Sequence, residues 1–310
     1  MRIALLNSGL GLLAAAARLH RLRPDVGLVL AMDPDGMPWG ARTPADIAER
    51  SLACARAAAA YQPDVLVFAC NTGSVHALGA LRAEFEPGIP VVGTVPAIKP
   101  AATACDAIAI WATAATTGSA YQRQLIAEFA ASAQVTEVAC AGLADSIHAG
   151  DVAATRAAVS AAVARTPAGC RAIVLGCTEY ELAADIIGAS LPGATLFGSA
   201  AAVAAQALRR VSDILTPRSA SNTTSTRNTS GSGSGNSSTG SSGNSTTGDS
   251  GAGTLQVLLS GRPSSLPPAA LRYPEGRLLA ALPAGPPSGL PAAGNPPAAS
   301  PARQHGPVRT

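Results

Sequence analysis

The sequence predicts an α/β fold of two pseudo-symmetric halves, each with a parallel sheet, followed by a disordered C-terminal tail. Apolar runs alternate with helix-like segments in two successive series, which is the pattern of right-handed βαβ units. Each series contains a buried strand that ends at a cysteine, Cys70 in the first and Cys177 in the second. Past residue 217 the composition changes to Ser, Thr, Gly and Asn, which cannot bury a core.

The first series begins close to the amino terminus. Its strands are mostly apolar runs rich in Val and Leu, as in buried parallel strands. Ser8 is a candidate N-cap for the first helix. The predicted elements are strands at Ile3–Leu6, Val26–Met32, Val65–Ala69 and Pro90–Thr94, and helices from Ser8 to about Leu22, at Pro44–Ala60 and from about Val75 to Phe85.

The second series repeats the first. Its predicted elements are strands at Ala107–Ala112, Val135–Ala139, Ala172–Leu175 and Thr195–Phe197, and helices from Ser119 to about Ala131, at Gly150–Arg165 and at Leu182–Ala189. The turn at residues 7–9 corresponds to the turn at 113–118, and Cys70 corresponds to Cys177. We therefore expect a first domain at 1–98, completed by a helix at 199–215, a second domain at 99–198, and a pocket between them.

Composition excludes several function classes. Residues 1–217 carry 15 basic and 17 acidic side chains, and residues 218–310 carry seven arginines against two acidic residues. The body therefore lacks the clustered basic charge of a nucleic-acid interface. No run reaches the roughly 18 apolar residues of a membrane helix. Six cysteines without a Cys-x-x-Cys motif or a signal peptide predict free thiols in a cytoplasmic protein.

The C-terminal part is predicted to be a dispensable extension. Residues 219–251 are nearly all Ser, Thr, Gly and Asn, and residues 252–310 are rich in Pro and Ala. The whole range 217–310 is therefore expected to be disordered. A Pro-rich docking segment is the alternative.

Cys70 and Cys177 differ from the other cysteines by their placement. Each stands where a buried parallel strand gives way to a helix, and ligands of open α/β sheets bind at that edge. The unpaired N–H groups of a helix N-terminus favour a thiolate. Two opposed thiols could remove a proton from one face of a carbon acid and return one to the other face. The bland alternative is that both are small buried side chains in the core.

Other chemistries fit less well. The two cysteines are too far apart in sequence to match a metal-ligand spacing, and no Cys/His cluster accompanies them. A pyridoxal phosphate enzyme needs a Schiff-base lysine, and Lys99, the only lysine, is followed by proline. A nucleophilic Cys70–His76 pair would place His76 nearly two turns into the helix. We therefore predict neither cofactor nor metal.

Five segments together resemble the cofactor-independent aspartate/glutamate racemase family, with bacterial glutamate racemases as its most similar members. The resemblance covers about residues 1–215. The segments are Asn7-Ser8-Gly9, Pro38-Trp39-Gly40, Ala69-Cys70-Asn71-Thr72, Ala120-Tyr121-Gln122 and Gly176-Cys177-Thr178.

The resemblance implies roles for individual residues. Cys70 and Cys177 match the two acid/base cysteines of the family. Asn7 matches a residue that assists one cysteine, while His148 and Glu179 match positions beside the other. The positions that match substrate contacts are Ser8, Trp39, Gly40, Asn71, Thr72, Thr113, Thr116 and Thr178. The implied partner is an acidic amino acid, and a homodimer is one candidate assembly.

Three positions depart from the usual family pattern. Asn7 replaces an aspartate and cannot accept a proton. Glu179 replaces the histidine of glutamate racemases, although aspartate racemase-like relatives carry glutamate there. His148 falls where glutamate racemases often have glutamate. We hypothesise that this exchange preserves a carboxylate–imidazole pair near Cys177; the alternative for His148 is a surface histidine at a helix start.

Three functions therefore remain open from the sequence. The first is a racemase that makes D-glutamate for peptidoglycan. The second is a racemase for aspartate or another acidic amino acid, which Glu179 favours. The third is a binding protein with weak or no turnover, which Asn7 favours. A relative that decarboxylates or isomerises with one cysteine is disfavoured, since both cysteines are present.

Overall fold

The computed structural model describes residues 1–215 and 252–286. Their first four strands form one parallel sheet with the order β2-β1-β3-β4. These strands are apolar and almost fully buried, which is typical of parallel sheets covered by helices. The bounds are β1 Arg2–Asn7, β2 Gly27–Met32, β3 Val65–Phe68 and β4 Val91–Gly93.

Helices cover both faces of this sheet. Thr43 caps α2, its hydroxyl accepting from Asp46 N at 3.3 Å, and Pro44 occupies the first helical position. α3 begins at Asn71, earlier than predicted, because the Cys70 thiol takes the capping position. The bounds are α1 Leu13–Leu22, preceded by a 3-10 turn at Leu10–Leu12, then α2 Pro44–Ala59 and α3 Asn71–Phe85. The next helix, α4 Ile98–Ala104, packs against the second sheet instead.

The second sheet repeats the topology of the first, with the order β6-β5-β7-β8. The fold class predicted from the sequence, two similar parallel-sheet halves, is thereby confirmed. The bounds are β5 Ala107–Ala112, α5 Ala120–Phe129, β6 Gln134–Ala139, α6 Leu143–Ala149, α7 Val152–Val163, β7 Ala172–Leu175, a 3-10 helix at Thr178–Ala183, α8 Ala184–Ser190, β8 Thr195–Phe197 and α9 Ala200–Leu215.

α9 leaves the second sheet and packs against α1, β3 and β4 of the first half. Its first turn is held by the Glu181 carboxylate, which accepts from Ser199 N at 2.7 Å and Ala200 N at 3.0 Å. A carboxylate at this end of a helix pairs with the unsatisfied N–H groups there. The division into domains at residues 98 and 198 stays a prediction.

The prediction of disorder is wrong for residues 252–286. This segment contains β9 Leu255–Leu259, β10 Arg262–Ser264, a 3-10 helix at Pro268–Arg272 and α10 Pro274–Ala280. β9 pairs in parallel with β2, and β10 pairs antiparallel with β9, so the first sheet has six strands. The apolar run of β9 covers the open edge of β2. The rest of the predicted tail lies outside the described residues.

Strand register brings the site residues to one edge. β1 pairs with β3 from Ile3↔Val65 to Leu6↔Phe68, so Asn7 comes beside Ala69. β5 pairs with β7 up to Trp111↔Leu175, which leaves Cys177 just past the end of the strand. Both cysteines therefore follow the carboxyl ends of central strands. Within the described residues, no helix is long and apolar enough to cross a membrane.

Candidate active site

A cavity of about 340 Å³ lies between the carboxyl ends of the two sheets. Twelve of the thirteen predicted site residues line it; the exception is Asn7. Lining residues that were not predicted come mainly from the loop before Trp39, the turn after β5 and the segment that leads into α6. These are Met37, Pro38, Ala41, Ala114, Ala115, Cys140, Ala141, Gly142, Ala144, Asp145 and Gly176.

Cys70 stands at the N-terminus of α3, where its sulfur accepts a hydrogen bond from Gly73 N at 3.4 Å. The residue is buried, and burial together with the charge of Glu179 raises the pKa of the thiol to about 12. Backbone N–H groups of Gly73, Thr72 and Ser8 oppose that rise. Cys70 is therefore a neutral thiol whose thiolate already has donors in place.

Cys177 has a carboxylate as its neighbour instead. Its Sγ donates to Glu179 Oε2 at 2.9 Å. Burial, and then the charge and hydrogen bond of Glu179, raise the pKa of this thiol well above its ordinary value. The charge of Cys70 adds to the rise, so the two thiols lie within electrostatic reach of each other. A thiol that is hydrogen-bonded to a carboxylate can pass its proton to that carboxylate.

Glu179 joins the two halves of the protein. Its Oε1 accepts from Gly11 N at 3.2 Å, and its Oε2 accepts from Thr178 Oγ1 at 3.4 Å as well as from Cys177. A Cβ on Gly11 would overlap the Thr178 hydroxyl, so only glycine allows this close approach. The carboxylate that contacts Cys177 is thus held by the backbone of the opposite half.

Asn7 lies behind the cavity and is fully buried. Its Nδ2 donates to Ala69 O at 2.6 Å and to Thr178 Oγ1 at 3.1 Å, while its Oδ1 accepts from Gly9 N at 3.2 Å. All of these contacts fix backbone or the hydroxyl of Thr178. In this structure Asn7 holds the two strand ends together, and among the described residues it has no hydrogen bond to either thiol.

His148 lies in the last turn of α6 and faces the cavity, contrary to the alternative of a surface histidine at a helix start. Its Nδ1 is buried and has no hydrogen-bond partner among the described residues. Burial lowers the pKa of the imidazole, and the charges of Glu179 and Asp145 oppose this. The hypothesised pair of His148 with Glu179 is therefore electrostatic in this structure.

The remaining polar groups converge on the cavity from both halves. Asn71 Nδ2 donates to Gly176 O at 2.8 Å, and its Oδ1 is buried without a partner among the described residues. Thr113 and Thr116 hold their hydroxyl oxygens 3.0 Å apart. None of the lining residues is lysine or arginine. The cavity therefore offers a ligand hydroxyls, amides and backbone N–H groups.

Comparison with known proteins places this geometry in a family. The signature of the family described as Asp/Glu/Hydantoin racemase matches residues 8–207. That span is well over half of the chain and includes both strand-end cysteines. The chain belongs to the Asp/Glu/hydantoin racemase family.

Individual members of the family resemble the chain over most of their length. Glutamate racemase of Roseiflexus sp. (strain RS-1) is 36% identical over 216 residues, which are 67% of this chain and 78% of that protein. Glutamate racemase of Salmonella gallinarum (strain 287/91 / NCTC 13346) is 36% identical over 211 residues, 65% of this chain and 74% of that protein.

Solved structures agree with this assignment. Escherichia coli glutamate racemase, in complex with L-glutamate and the activator UDP-MurNAc-ala, has a TM-score of 0.63 at 33% identity and covers 68% of this chain and 82% of its own. The Francisella tularensis subsp. tularensis SCHU S4 enzyme, at 18% identity, shares the fold with a TM-score of 0.61 over 92% of this chain and 95% of its own. The likeness in fold thus extends past residue 215.

Most of one wall of the cavity in this racemase-family protein was not predicted from the sequence. The segment after β6, from Cys140 into the first turn of α6 at Asp145, reaches the cavity by the same rule that identified Cys70 and Cys177, since it follows the carboxyl end of a strand. That signal was present, but α6 was overlooked because it has only seven residues. Sequence reasoning therefore found the cysteine walls of the cavity and missed most of the wall that carries His148.

Proposed function

We propose that this racemase-family protein interconverts L- and D-glutamate without a cofactor, by a two-base mechanism. The observation that carries the proposal is the pair of thiols, Cys70 and Cys177, on facing strand ends of one cavity. Its relatives at about a third identity are glutamate racemases, which supports glutamate as the substrate. In bacteria such an activity supplies D-glutamate for peptidoglycan.

Two proton transfers on opposite faces of the α-carbon invert the substrate. Glu179 accepts the proton of Cys177, which becomes a thiolate and removes the α-proton from one face of the amino acid. The Cys70 thiol donates its proton to the opposite face, so the product is the other enantiomer and Cys70 is left as thiolate. The backbone N–H groups at the start of α3 stabilise that thiolate. The reverse reaction starts from that state: the Cys70 thiolate removes the α-proton, Cys177 donates its proton to the opposite face, and the proton held by Glu179 returns to Cys177.

The substrate's own charge assists this step. Both thiols are held neutral in the unliganded cavity, because burial and Glu179 disfavour a second negative charge. The α-ammonium of an amino acid brings a positive charge that lowers the pKa of a nearby thiol. Asn71 Oδ1, buried and without a partner, is suited to accept a hydrogen bond from that ammonium. Binding and activation are therefore coupled.

Carboxylate groups would be held by neutral donors. We assign Ser8, Thr72 and Thr178 to the amino-acid end of the substrate and Thr113 and Thr116 to its side chain, with the walls of the cavity supplied by Trp39 and Gly40. Hydroxyls and helix N-termini bind carboxylates without a full counter-charge. The partner is an acidic amino acid; we propose neither nucleic acid nor membrane as a partner.

Isotope exchange tests the function directly. The full chain is incubated in deuterated water with L-glutamate, and in parallel with L-aspartate. The α-proton is followed by NMR, and optical activity by circular dichroism. We expect exchange of the α-proton together with loss of optical activity for glutamate. The same result for aspartate alone would transfer the proposal to an aspartate racemase, which Glu179 favours.

A binding protein with little turnover is the second candidate, because Asn7 cannot accept a proton. It predicts that calorimetry detects glutamate binding to the full chain while the α-proton does not exchange. Calorimetry and the D₂O experiment together therefore separate the two functions.

Asn7→Asp introduces the usual family residue. We nevertheless expect it to lower kcat/KM about tenfold, which is the size of effect that the loss of one buried hydrogen bond produces. An aspartate oxygen would replace Nδ2, which donates to Ala69 O at 2.6 Å, and would set acceptor against acceptor. It would also add a negative charge near Glu179. The double variant Asn7→Asp, Glu179→His should recover part of the loss. Faster racemisation by Asn7→Asp alone would contradict this reasoning.

We also propose a cytoplasmic location, supported by six free cysteines in the described residues. A homodimer is the assembly we propose, and sedimentation equilibrium of the full chain decides between one and two copies.

A further inference from the structure

Residues 252–286, called the brace below, form a unit whose two ends meet. Leu255 N donates to Pro283 O at 2.8 Å, and Gly285 N donates to Leu255 O at 2.9 Å. Between these ends, β9 pairs with β2 from Leu28↔Leu255 to Met32↔Leu259. The brace is therefore closed at its base and anchored along the edge of the first sheet.

One contact of the brace reaches the Trp39 wall of the cavity. Ser260 follows β9 directly, and its Oγ donates to Asp33 Oδ1 at 3.3 Å. The other oxygen of this buried carboxylate accepts from Trp39 Nε1 at 3.0 Å, and Oδ1 also accepts from Gly36 N at 3.1 Å. Asp33 thus fixes the loop that carries Trp39, and Ser260 hydrogen-bonds to Asp33 from the brace.

A second contact reaches α6, which forms the opposite wall. Tyr273 is buried and its Oη donates to Ile147 O at 2.5 Å, one residue before His148. Gly150, which ends α6 with a positive φ of 68°, lies against the brace; a Cβ there would stand 3.0 Å from Arg272. The end of α6 that carries His148 therefore rests on the brace.

α6 depends on such support. It has seven residues, whereas isolated helices shorter than roughly 12–15 residues are marginal in water. Ile147 O accepts from Gly150 N at 3.0 Å at the end of the helix, and Tyr273 adds a second donor to this carbonyl from outside the helix. The position of the His148 wall is accordingly determined by what packs around α6 more than by the helix itself.

We propose that the brace sets the spacing between the Trp39 wall and the α6 wall, with Ser260 and Tyr273 as positioning residues. One segment, anchored on the first sheet, hydrogen-bonds to Asp33 at one point and to α6 at another. A shift of the brace moves both walls together. This inference concerns the geometry of the cavity, and only its kinetic readout rests on the proposed function.

Hydrogen exchange of the full chain tests the coupling without reference to activity. Ser260→Ala and Tyr273→Phe each remove one hydroxyl and retain the rest of the side chain's packing. Each variant should increase exchange several-fold at the wall it does not touch: Ser260→Ala at residues 143–150, and Tyr273→Phe at residues 36–41. Changes confined to each variant's own wall overturn the proposal. If Tyr273→Phe fails to fold, the result for Ser260→Ala alone decides.

Tyr61→Phe is the matched control. Tyr61 is also buried, but it lies between α2 and the start of β3, at the edge of the sheet opposite the cavity. The control should leave exchange at both walls unchanged. An equal response in this variant would show a general loss of stability and would also overturn the proposal.

Kinetics supply the second readout. Ser260→Ala and Tyr273→Phe should raise KM for L-glutamate about three- to tenfold, the range expected for one hydrogen bond, with a smaller change in kcat. In a His148→Asn background the effect of Tyr273→Phe should shrink, since the wall it positions has lost its imidazole. Full additivity contradicts positioning through α6. Absence of activity in the parent chain would reject the proposed function and leave the exchange test intact.

Discussion

Cys70→Ala and Cys177→Ala should each reduce racemisation by about 10³-fold or more in both directions, within the range for losing a positioned acid or base. Each direction needs one sulfur to remove the α-proton and the other to return a proton to the opposite face. Removing either sulfur therefore blocks inversion from both enantiomers. Circular dichroism of glutamate, started from the L and from the D form, measures the loss.

Deuterium exchange at the α-carbon tests the two sulfurs separately. Each single variant retains one sulfur on one face of the substrate, so it should still exchange the α-proton of one enantiomer slowly and without inversion. Cys70→Ala and Cys177→Ala should act on opposite enantiomers, because the remaining sulfurs lie on opposite walls. Exchange of the same enantiomer by both variants would contradict a two-base site.

Cys54→Ala is the matched control for these variants. Cys54 is a buried cysteine of the first half, and burial raises the pKa of its thiol to about 12, as for Cys70. It lies on α2 and does not line the cavity. Its replacement should leave racemisation unchanged, which separates a catalytic loss from the general effect of removing a buried thiol.

The cysteine walls of this site were predictable because their signal is local. Cys70 and Cys177 each follow a short run of buried strand residues, and the carboxyl ends of parallel strands meet at one edge. Strand register, which the sequence does not state, then decided that Asn7 would lie behind the cavity beside Ala69. Its role as a donor to two other groups appears only in three dimensions.

The brace was missed for a different physical reason. Averaged over residues 252–310, the composition is that of a Pro- and Ala-rich extension, and the average hides the five-residue run Leu255–Leu259. Five residues, four of them apolar, cannot hold a strand alone, but they can complete an open sheet edge that already exists. Whether such an edge is free depends on the order of strands, and β2 is the strand that was left at the edge.

Glu179→Gln is expected to change two observables in opposite directions. Burial is the largest cause of the raised pKa of both thiols, and the charge of Glu179 is the second largest. Removing that charge should therefore lower the pKa of Cys70 and of Cys177. Alkylation of these two cysteines, followed by mass spectrometry across pH, should then begin at lower pH. Racemisation should nevertheless fall about 10²-fold, because the carboxylate that accepts the Cys177 proton is gone.

In Glu179→Gln, the lowered thiol pKa favours racemisation and the loss of the proton acceptor opposes it. Burial determines that the loss of the acceptor is the larger effect. It is the larger cause of the raised thiol pKa at both positions, so Cys177 in Glu179→Gln remains mostly protonated near pH 7 and still needs an acceptor. Glu179→Asp retains the charge but withdraws the carboxylate from Sγ, so it should lower the rate while moving the alkylation profile of Cys177 less than Glu179→Gln does. If Glu179→Gln racemised faster than the parent, the carboxylate would be an electrostatic brake and the Cys177 proton would leave by another route.

His148 shows how far the influence of Glu179 extends. The imidazole has no hydrogen bond to Glu179 and responds to its charge, which opposes the lowering of its pKa by burial. His148→Asn and Glu179→Gln should therefore show a modest coupling in kcat/KM, well below the effect of Glu179→Gln alone. Purely additive losses would mean that His148 acts on the substrate independently. A coupling as large as the single effect would mean that imidazole and carboxylate pass one proton between them when substrate is bound.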